Sequence, residues 1–371
     1  MRVSRDVDFY AILSENPAAP ETAYARLAPI MTKITLADVA RRAGVDVSTV
    51  SRALRGEQSQ RIRPEMRARI LQAAQELDYA PDPLARALRT ARTHSLAIAI
   101  PQIDNPVFSE AIRGAEEAAR MAGFSLLISY RPEECEAPGG LKQLARAHRL
   151  EGLLVASLDA NERVLEEVEA AGVPCVVLNR SLPGAAFSVA LDTRTAAHIA
   201  VEHLISLGHR RIAHLAGRPT GFNAGERILG YREALAAHGI AFDPDLVVPA
   251  GYTAAGGIMA LDRLLQQSWS GNSQPTAIFA ASLVSATGAL SELHRRGISV
   301  PGQMSLVAIH DTPVADVMQP PLTTVATPTN DMGRIGVEIL LEIIAGNTPA
   351  RVAPLPPRGL VLRASTAAPR G

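Results

Sequence analysis

Val47, Ser48, Thr49, Ser51 and Arg52 fall within six consecutive positions. Short hydroxyls and a guanidinium on one helical turn can reach the edges of bases, and an arginine suits the paired O6 and N7 acceptors of guanine. That chemistry is the reading of DNA. A second set of polar groups is spread along residues 102–311: amides, guanidiniums, a hydroxyl and an imidazole. Such groups hold a small polar ligand only if a fold gathers them.

The first set needs two short helices and a tight turn. Thr35 precedes an apolar-periodic run and Asp38 lies three residues on, a pairing that satisfies free amides at a helix start. Leu36, Val39 and Ala40 share a face, and Gly44 stands where the chain must reverse. Asp46 caps a second helix that turns Val50, Ala53 and Leu54 inward and leaves Val47, Ser48, Ser51 and Arg52 outside. Taken alone, the pattern also fits an ordinary helical hairpin in a core. Arg63-Pro64-Glu65 then opens a third helix, with proline at a first-turn position. Met66, Ile70, Leu71, Ala74 and Leu77 are spaced to bury one stripe against the first two helices.

The chain of 371 residues carries no net charge, but the balance is uneven. Residues 33–93 hold 12 Lys+Arg against 7 Asp+Glu, an excess of +5, which attracts phosphates in a salt-dependent way. The hydrophobic share of 47% with 4% aromatics fits aliphatic α/β cores. Cys135 and Cys175 are far apart and lack metal spacing, so they read as buried thiols in a reducing compartment. No apolar run approaches the roughly 20 residues that cross a bilayer, and no secretory segment opens the chain, so a cytoplasmic location is expected. His198, His203, His209 and His214 do not place three ligands on one helix face, so no metal or other cofactor is expected. The usual catalytic signatures, GxxxxGK[ST], HExxH and GxSxG, are missing, which argues against an enzyme.

After His94 strands alternate with helices. SLAIAIP precedes a helix over 105–121, FSLLISY one over 141–148, and EGLLVAS one over 162–171. PCVVLN, RIAHLAG, TAIFAAS and SLVAIH continue the series. Continuous apolar runs predict strands buried on both faces in parallel sheets covered by helices. Such sheets bind ligands beyond the carboxyl ends of their strands. Those loops carry Gln102, Ile103, Asp104, Asn105 and Phe108, then Asn179 and Arg180, then Arg218 and Arg227.

Residues 34–366 resemble the lactose/galactose repressor (LacI/GalR) family of regulators. The resemblance rests on TLADVARRAGVDVSTVSRAL, LDYAPDPLARALRT, NPVFSEAIRGAEEAARMAGF, HRRIAHLAG, GERILGYREAL and PPLTTV, in that order. It implies a helix-turn-helix DNA-binding domain over 33–80 and a hinge helix over 81–93. A periplasmic-binding-protein-like effector domain of type I would follow over 94–371. Its two doubly wound parallel-sheet subdomains would hold about 94–190 plus 322–348 and about 191–321 plus 349–366. Met31 stands three residues before the first matched position, so residues 1–32 are expected to be a disordered extension, or translation to begin at Met31.

The same resemblance implies a homodimer on a pseudo-palindromic DNA operator, without membrane attachment, acting as a repressor whose DNA affinity a small effector raises or lowers. DNA contacts would come from Thr35, Val47, Ser48, Thr49, Ser51 and Arg52, and from Leu84, Ala85, Arg86, Leu88 and Arg89 in the hinge. Leu88 would wedge between base steps of the minor groove; the alternative is an inert proline-rich spacer. Effector contacts would come from Asn105, Phe108, Arg180, Arg227, Ser282 and His310. The chain departs from the family in two places. Ser282-Leu283 stands where relatives carry Asn-Asp, and Ala308-Ile309-His310-Asp311 where they carry Gly-aromatic-Asp-Asp. Arg180, Arg227 and a titratable His310 would then favour a sugar acid or sugar phosphate over a neutral sugar, unless these positions have simply drifted. A solute-binding protein using the same cleft for transport is the alternative function, but it has no use for a helix-turn-helix.

Overall fold

The computed structural model describes residues 34–54, 62–79, 92–103, 105–131, 140–156, 166, 170–181, 185–267 and 274–370. Outside them lie the expected N-terminal extension, the link before the third helix, and the hinge segment with Leu84, Ala85, Arg86, Leu88 and Arg89. Asp104, Cys135 and most of the expected helix over 162–171 also lie outside. The chain divides into two compact units, Met1–Arg86 and Ala87–Gly371.

In the first unit α1 spans Leu36–Ala43, α2 Val47–Leu54 and α3 Pro64–Glu76. Thr35 and Asp38 form a reciprocal capping box, and Gly44 ends α1 in the left-handed region at φ 65°. The Asp46 carboxylate accepts from the Ser48 amide at 2.7 Å and starts α2. Val39, Ala40, Val50, Ala53, Ile70, Ala73 and Ala74 close the core. One expectation fails here: Leu71 is 48% exposed. Ile70 and Ala73–Ala74 already fill the stripe, and a residue one step beyond Ile70 is turned about 100° away from it.

The second unit contains two sheets. The first is built from β1 (Ser95–Ile100), β2 (Ser125–Tyr130), β3 (Gly152–Ala156), β4 (Cys175–Leu178) and β5 (Ser188–Val189), in the order β2-β1-β3-β4-β5. All its pairings are parallel. Helices α4 (Pro106–Met121) and α5 (Gly140–Ala147) belong to this lobe. The second sheet has β6 (Ile212–Ala216), β7 (Val247–Pro249), β8 (Ala277–Ala280), β9 (Ser305–Ile309), β10 (Thr323–Ala326) and β11 (Gly359–Val361), in the order β11-β10-β9-β8-β6-β7. Its helices are α6 (Thr193–Ser206), α7 (Phe222–Ala237), α8 (Ala254–Gln266), α9 (Leu283–Arg295) and the short α10 (Val314–Val317). Helix α11 (Thr329–Ile344) returns to the first lobe and packs on α4, β3 and β4.

The expected parallel pattern holds with one exception: β11 runs antiparallel to β10. FSLLISY is not buried on both faces, because β2 is an edge strand whose Ile128 and Tyr130 are more than half exposed. The expected lobe boundaries also move. Residues 323–326 pair with β9 in the second sheet, so the return to the first lobe comes after 326 rather than at 322. Leu355 bridges Leu191 and packs on the first core, so the chain stays with that lobe beyond 349 and re-enters the second at β11. Turn residues mark where strands end, whereas the partner of PPLTTV is fixed only by pairing in space.

Each lobe contains a helix pair in backbone contact. A Cβ on Gly114 of α4 would collide with the Asn330 carbonyl, and one on Gly333 of α11 with the Ala111 carbonyl. In the second lobe Gly257 of α8 meets the Ser285 carbonyl and Gly288 of α9 the Ala254 carbonyl.

Candidate functional site

On α2 the predicted reading face is at the surface. Val47 is 42% exposed and Ser48 is exposed, while Thr49, Ser51 and Arg52 are half-buried. Arg52 lies back along its own helix: Nε donates to the Ser48 carbonyl at 3.1 Å, and Nη2 donates to Ser48 Oγ at 3.2 Å and to Thr49 Oγ1 at 3.5 Å. These contacts orient the guanidinium among the hydroxyls it was expected to work with. The Thr35 hydroxyl is engaged in its cap, where it donates to Asp38 Oδ2 at 2.6 Å.

The second unit has a narrow cavity between its sheets, about 10 Å³ in volume, lined by Asn105, Val107, Asn179, Asn223, Arg227, Tyr252, Ser282 and His310. Strand ends and helix starts supply most of these residues. Asn105 caps α4, its Oδ1 accepting from the Val107 amide at 3.2 Å while Nδ2 donates to Gln102 at 3.1 Å. Asn179 follows β4 with φ 71°, and His310 follows β9 with φ 75°. Ser282 caps α9, its Oγ accepting from the Ser285 amide at 3.2 Å. Asn223 and Arg227 stand one turn apart on α7, facing the same way. At the cavity, two residues of the second lobe reach the first. Asn223 Nδ2 donates to the Asn179 carbonyl at 2.9 Å, and Tyr252 packs against the core of the first lobe.

Arg227 is 2% exposed. Its Nη2 lies 3.3 Å from His310 Nε2 and its Nη1 3.5 Å from the Tyr252 hydroxyl. Because a guanidinium only donates, His310 Nε2 must be the acceptor. The imidazole proton then sits on Nδ1, which donates to Thr327 Oγ1 at 2.8 Å. Burial pushes the His310 pKa well below the usual histidine value, and the Arg227 charge pushes it further. The expectation of a titratable donor at His310 is therefore corrected: the ring is neutral, with its Nδ1 proton committed to Thr327 and its Nε2 lone pair taken by Arg227. Asp311, the acid retained beside it, accepts from Thr324 Oγ1 at 2.6 Å and pairs with Arg363 at 2.8 Å.

Of the six expected ligand residues, Asn105, Arg227, Ser282 and His310 line the cavity. Phe108 and Arg180 do not; both are fully buried, Phe108 within the core of the first lobe. Apolar packing of α4 on its sheet claims the ring that sequence position alone had placed in a loop. Val107, Asn223 and Tyr252 were missed. Asn223 was legible as the i−4 neighbour of Arg227, and Tyr252 follows β7, a three-residue strand too short to signal itself.

Three of the four histidines weighed as metal ligands have other partners. His209 contacts Thr276, Ser305 and the Ala367 carbonyl, His203 contacts Thr366, and His214 stacks on Phe279. Among the described residues no group of His, Cys, Asp or Glu could hold a metal ion, and no helix is long and apolar enough to cross a membrane. Burial raises the Cys175 thiol to about 12.

A helix-turn-helix unit followed by a two-lobed α/β unit with a polar cleft defines a DNA-binding transcriptional regulator. Residues 35–82 match the bacterial regulatory proteins of the lacI family, and residues 201–366 a periplasmic binding protein-like domain. Catabolite control protein A of Priestia megaterium is 30% identical over 318 residues, 85% of this chain and 94% of the relative. The solved transcriptional regulator CelR in complex with cellobiose is 30% identical, with a TM-score of 0.67 over 90% of this chain and 99% of that one. A lac repressor dimer bound to operator and the anti-inducer ONPF is 25% identical, with a TM-score of 0.76 over 90% and 99% of the two chains. The chain belongs to the lacI family of bacterial regulatory proteins. Its relatives are regulators rather than enzymes or transporters, and so is this protein.

Proposed function

We propose that the protein is a cytoplasmic repressor that binds a pseudo-palindromic operator as a homodimer and is controlled by a small sugar-like effector in the cleft of its second unit. The observation that carries this reading is the cleft itself. Two lobes meet over a space lined by polar side chains, and Asn223 and Tyr252 reach from one lobe to the other. A ligand that engages both lobes has a different affinity for open and closed arrangements, which is the condition for shifting a DNA-binding population. The solved relatives support both halves: one is a dimer on its operator, the other holds a disaccharide.

In this reading residues 33–80 form the reading head and residues 94–371 the effector unit, with 81–93 as the hinge. Val47, Ser48 and Arg52 face base edges, Thr35, Thr49 and Ser51 support phosphate contacts, and Leu88, with Leu84, Ala85, Arg86 and Arg89, serves the minor groove. A gel-shift titration with the region upstream of the protein's own gene tests the assignment. Arg52→Ala is expected to lose about 1–3 kcal/mol of discrimination between operator and scrambled DNA. Leu88→Ala is expected to weaken operator binding. Equal affinity of the wild-type protein for operator and scrambled duplex would overturn the reading.

A further inference from the structure

Among the described residues the cleft wall carries one permanent charge and no carboxylate to balance it. None of the eight lining residues is Asp or Glu, and the neighbouring acid, Asp311, is committed to Arg363. Arg227 makes no salt bridge among the described residues, and its Nε has no hydrogen-bond partner there. Its two contacts are to neutral groups, the Tyr252 hydroxyl and the lone pair of His310. A guanidinium cannot shed its proton, and an unpaired buried charge costs several kcal/mol until an anion joins it.

A second observation points the same way. Val107 lies in the first turn of α4, Asn223 in the first turn of α7, and Ser282 is the cap of α9. Three helix N-termini therefore line the same cavity, each adding partial positive charge. A buried acceptor, Asn179 Oδ1, also has no partner and is placed to take a hydroxyl.

We infer that the cleft selects a small hydroxylated monocarboxylate, a sugar acid rather than a neutral sugar, and that Arg227 pairs with its carboxylate. The inference rests on the ligand-controlled reading above and names its ligand class. A monoanion is the nearer match, because Arg227 supplies the one full charge of the lining and two of the three helix N-termini already spend an amide on their Asn105 and Ser282 caps.

Calorimetric titration of the full chain with five- and six-carbon aldonates, each beside its aldose and its aldose phosphate, tests this. At least one aldonate is expected to bind about tenfold or more tightly than both counterparts. Arg227→Gln should abolish that preference and Arg227→Lys should keep part of it; the wild-type comparison stands even if either variant fails to fold. Tighter binding of an aldose or of a phosphate than of every aldonate would overturn the inference, as would a complete lack of aldonate binding. Gel shifts without ligand, run on the same preparation, judge the DNA-binding reading separately. A neutral sugar that alters operator affinity would end the inference and leave the proposed function standing.

Discussion

Arg227 and Arg363 are both nearly sealed from solvent in the second lobe, yet their surroundings differ. Arg363, with 9% of its side chain exposed, pairs through Nη1 with Asp311 at 2.8 Å and through Nε with Asp316 at 2.6 Å. It also donates to the Leu322 carbonyl and the Thr324 hydroxyl. Burial works against its charge, but the two carboxylates outweigh that and raise its pKa. Arg227 has neutral partners only; burial lowers its pKa, and Tyr252 offsets part of the effect. One site spends its cation on holding β11 and the α10 loop to the sheet. The other keeps a cation available at the cost of stability, which is what a binding site for an anion requires.

The comparison can be tested from its strongest side downward. Arg363→Met leaves Asp311 partly buried without its partner and is expected to cost about 3 kcal/mol of stability, read by urea denaturation. If the loss is no larger than that for Arg227→Met, the contrast between the two sites is void.

Acid is the next lever, because Arg227 affects the histidines around it. His214 is fully buried, and burial lowers its pKa to about 4, against the Phe279 carbonyl bond and with the Arg227 charge adding to the shift. A depressed histidine pKa means that the unfolded chain binds the proton more readily. Stability is then complete above about pH 6.5 and falls as the pH drops towards about 4. At pH 5 His214 alone should cost about 2 kcal/mol relative to pH 7, and His214→Phe should flatten that slope in melting curves recorded across the interval.

His310→Asp would give Arg227 the kind of partner that Arg363 has. Asp tolerates the positive φ at this position better than most residues. The preference between aldonate and aldose should move by about tenfold towards the neutral sugar, equivalent to about 1.4 kcal/mol, in paired titrations. The smallest effect belongs to Arg227→Met. Removing an unpaired buried charge should leave stability within about 1 kcal/mol of wild type or raise it, while the aldonate heat disappears. A loss as large as that of Arg363→Met would show that Arg227 holds the fold together instead.

Much of this contrast could be read from the sequence, in proportion to how local each signal is. Thr35, Gly44 and Asp46 announce the caps of α1 and α2 because capping acts within three residues. Asn105 follows an apolar run that reads as a buried strand, whereas Arg227, Ser282 and His310 were singled out by the family resemblance, through GERILGY and the two places where the chain departs from the family pattern. What the sequence hides is partnership at long range. Arg227 and His310 meet across 83 positions, and whether the imidazole is charged follows from that meeting rather than from the residue type. Phe108 and Arg180 share the loop positions of true lining residues and differ only in which way the packing turns them. Leu71 and the edge strand β2 mislead for the same reason: an apolar residue records an opportunity for burial, and the neighbours decide whether it is taken.

The glycine contacts between α4 and α11 and between α8 and α9 have a bearing on descent. With carbonyl oxygens filling the places of the missing Cβ atoms, even alanine at Gly114, Gly257, Gly288 or Gly333 would drive the helices apart. His310 stands at the cleft on the loop after β9, and Ser282 stands there at the cap of α9, one turn before the Ser285 carbonyl that meets Gly257. Inheritance can therefore retune the palate of such a regulator one tip at a time, while the frame that carries the tips tolerates almost no rewriting.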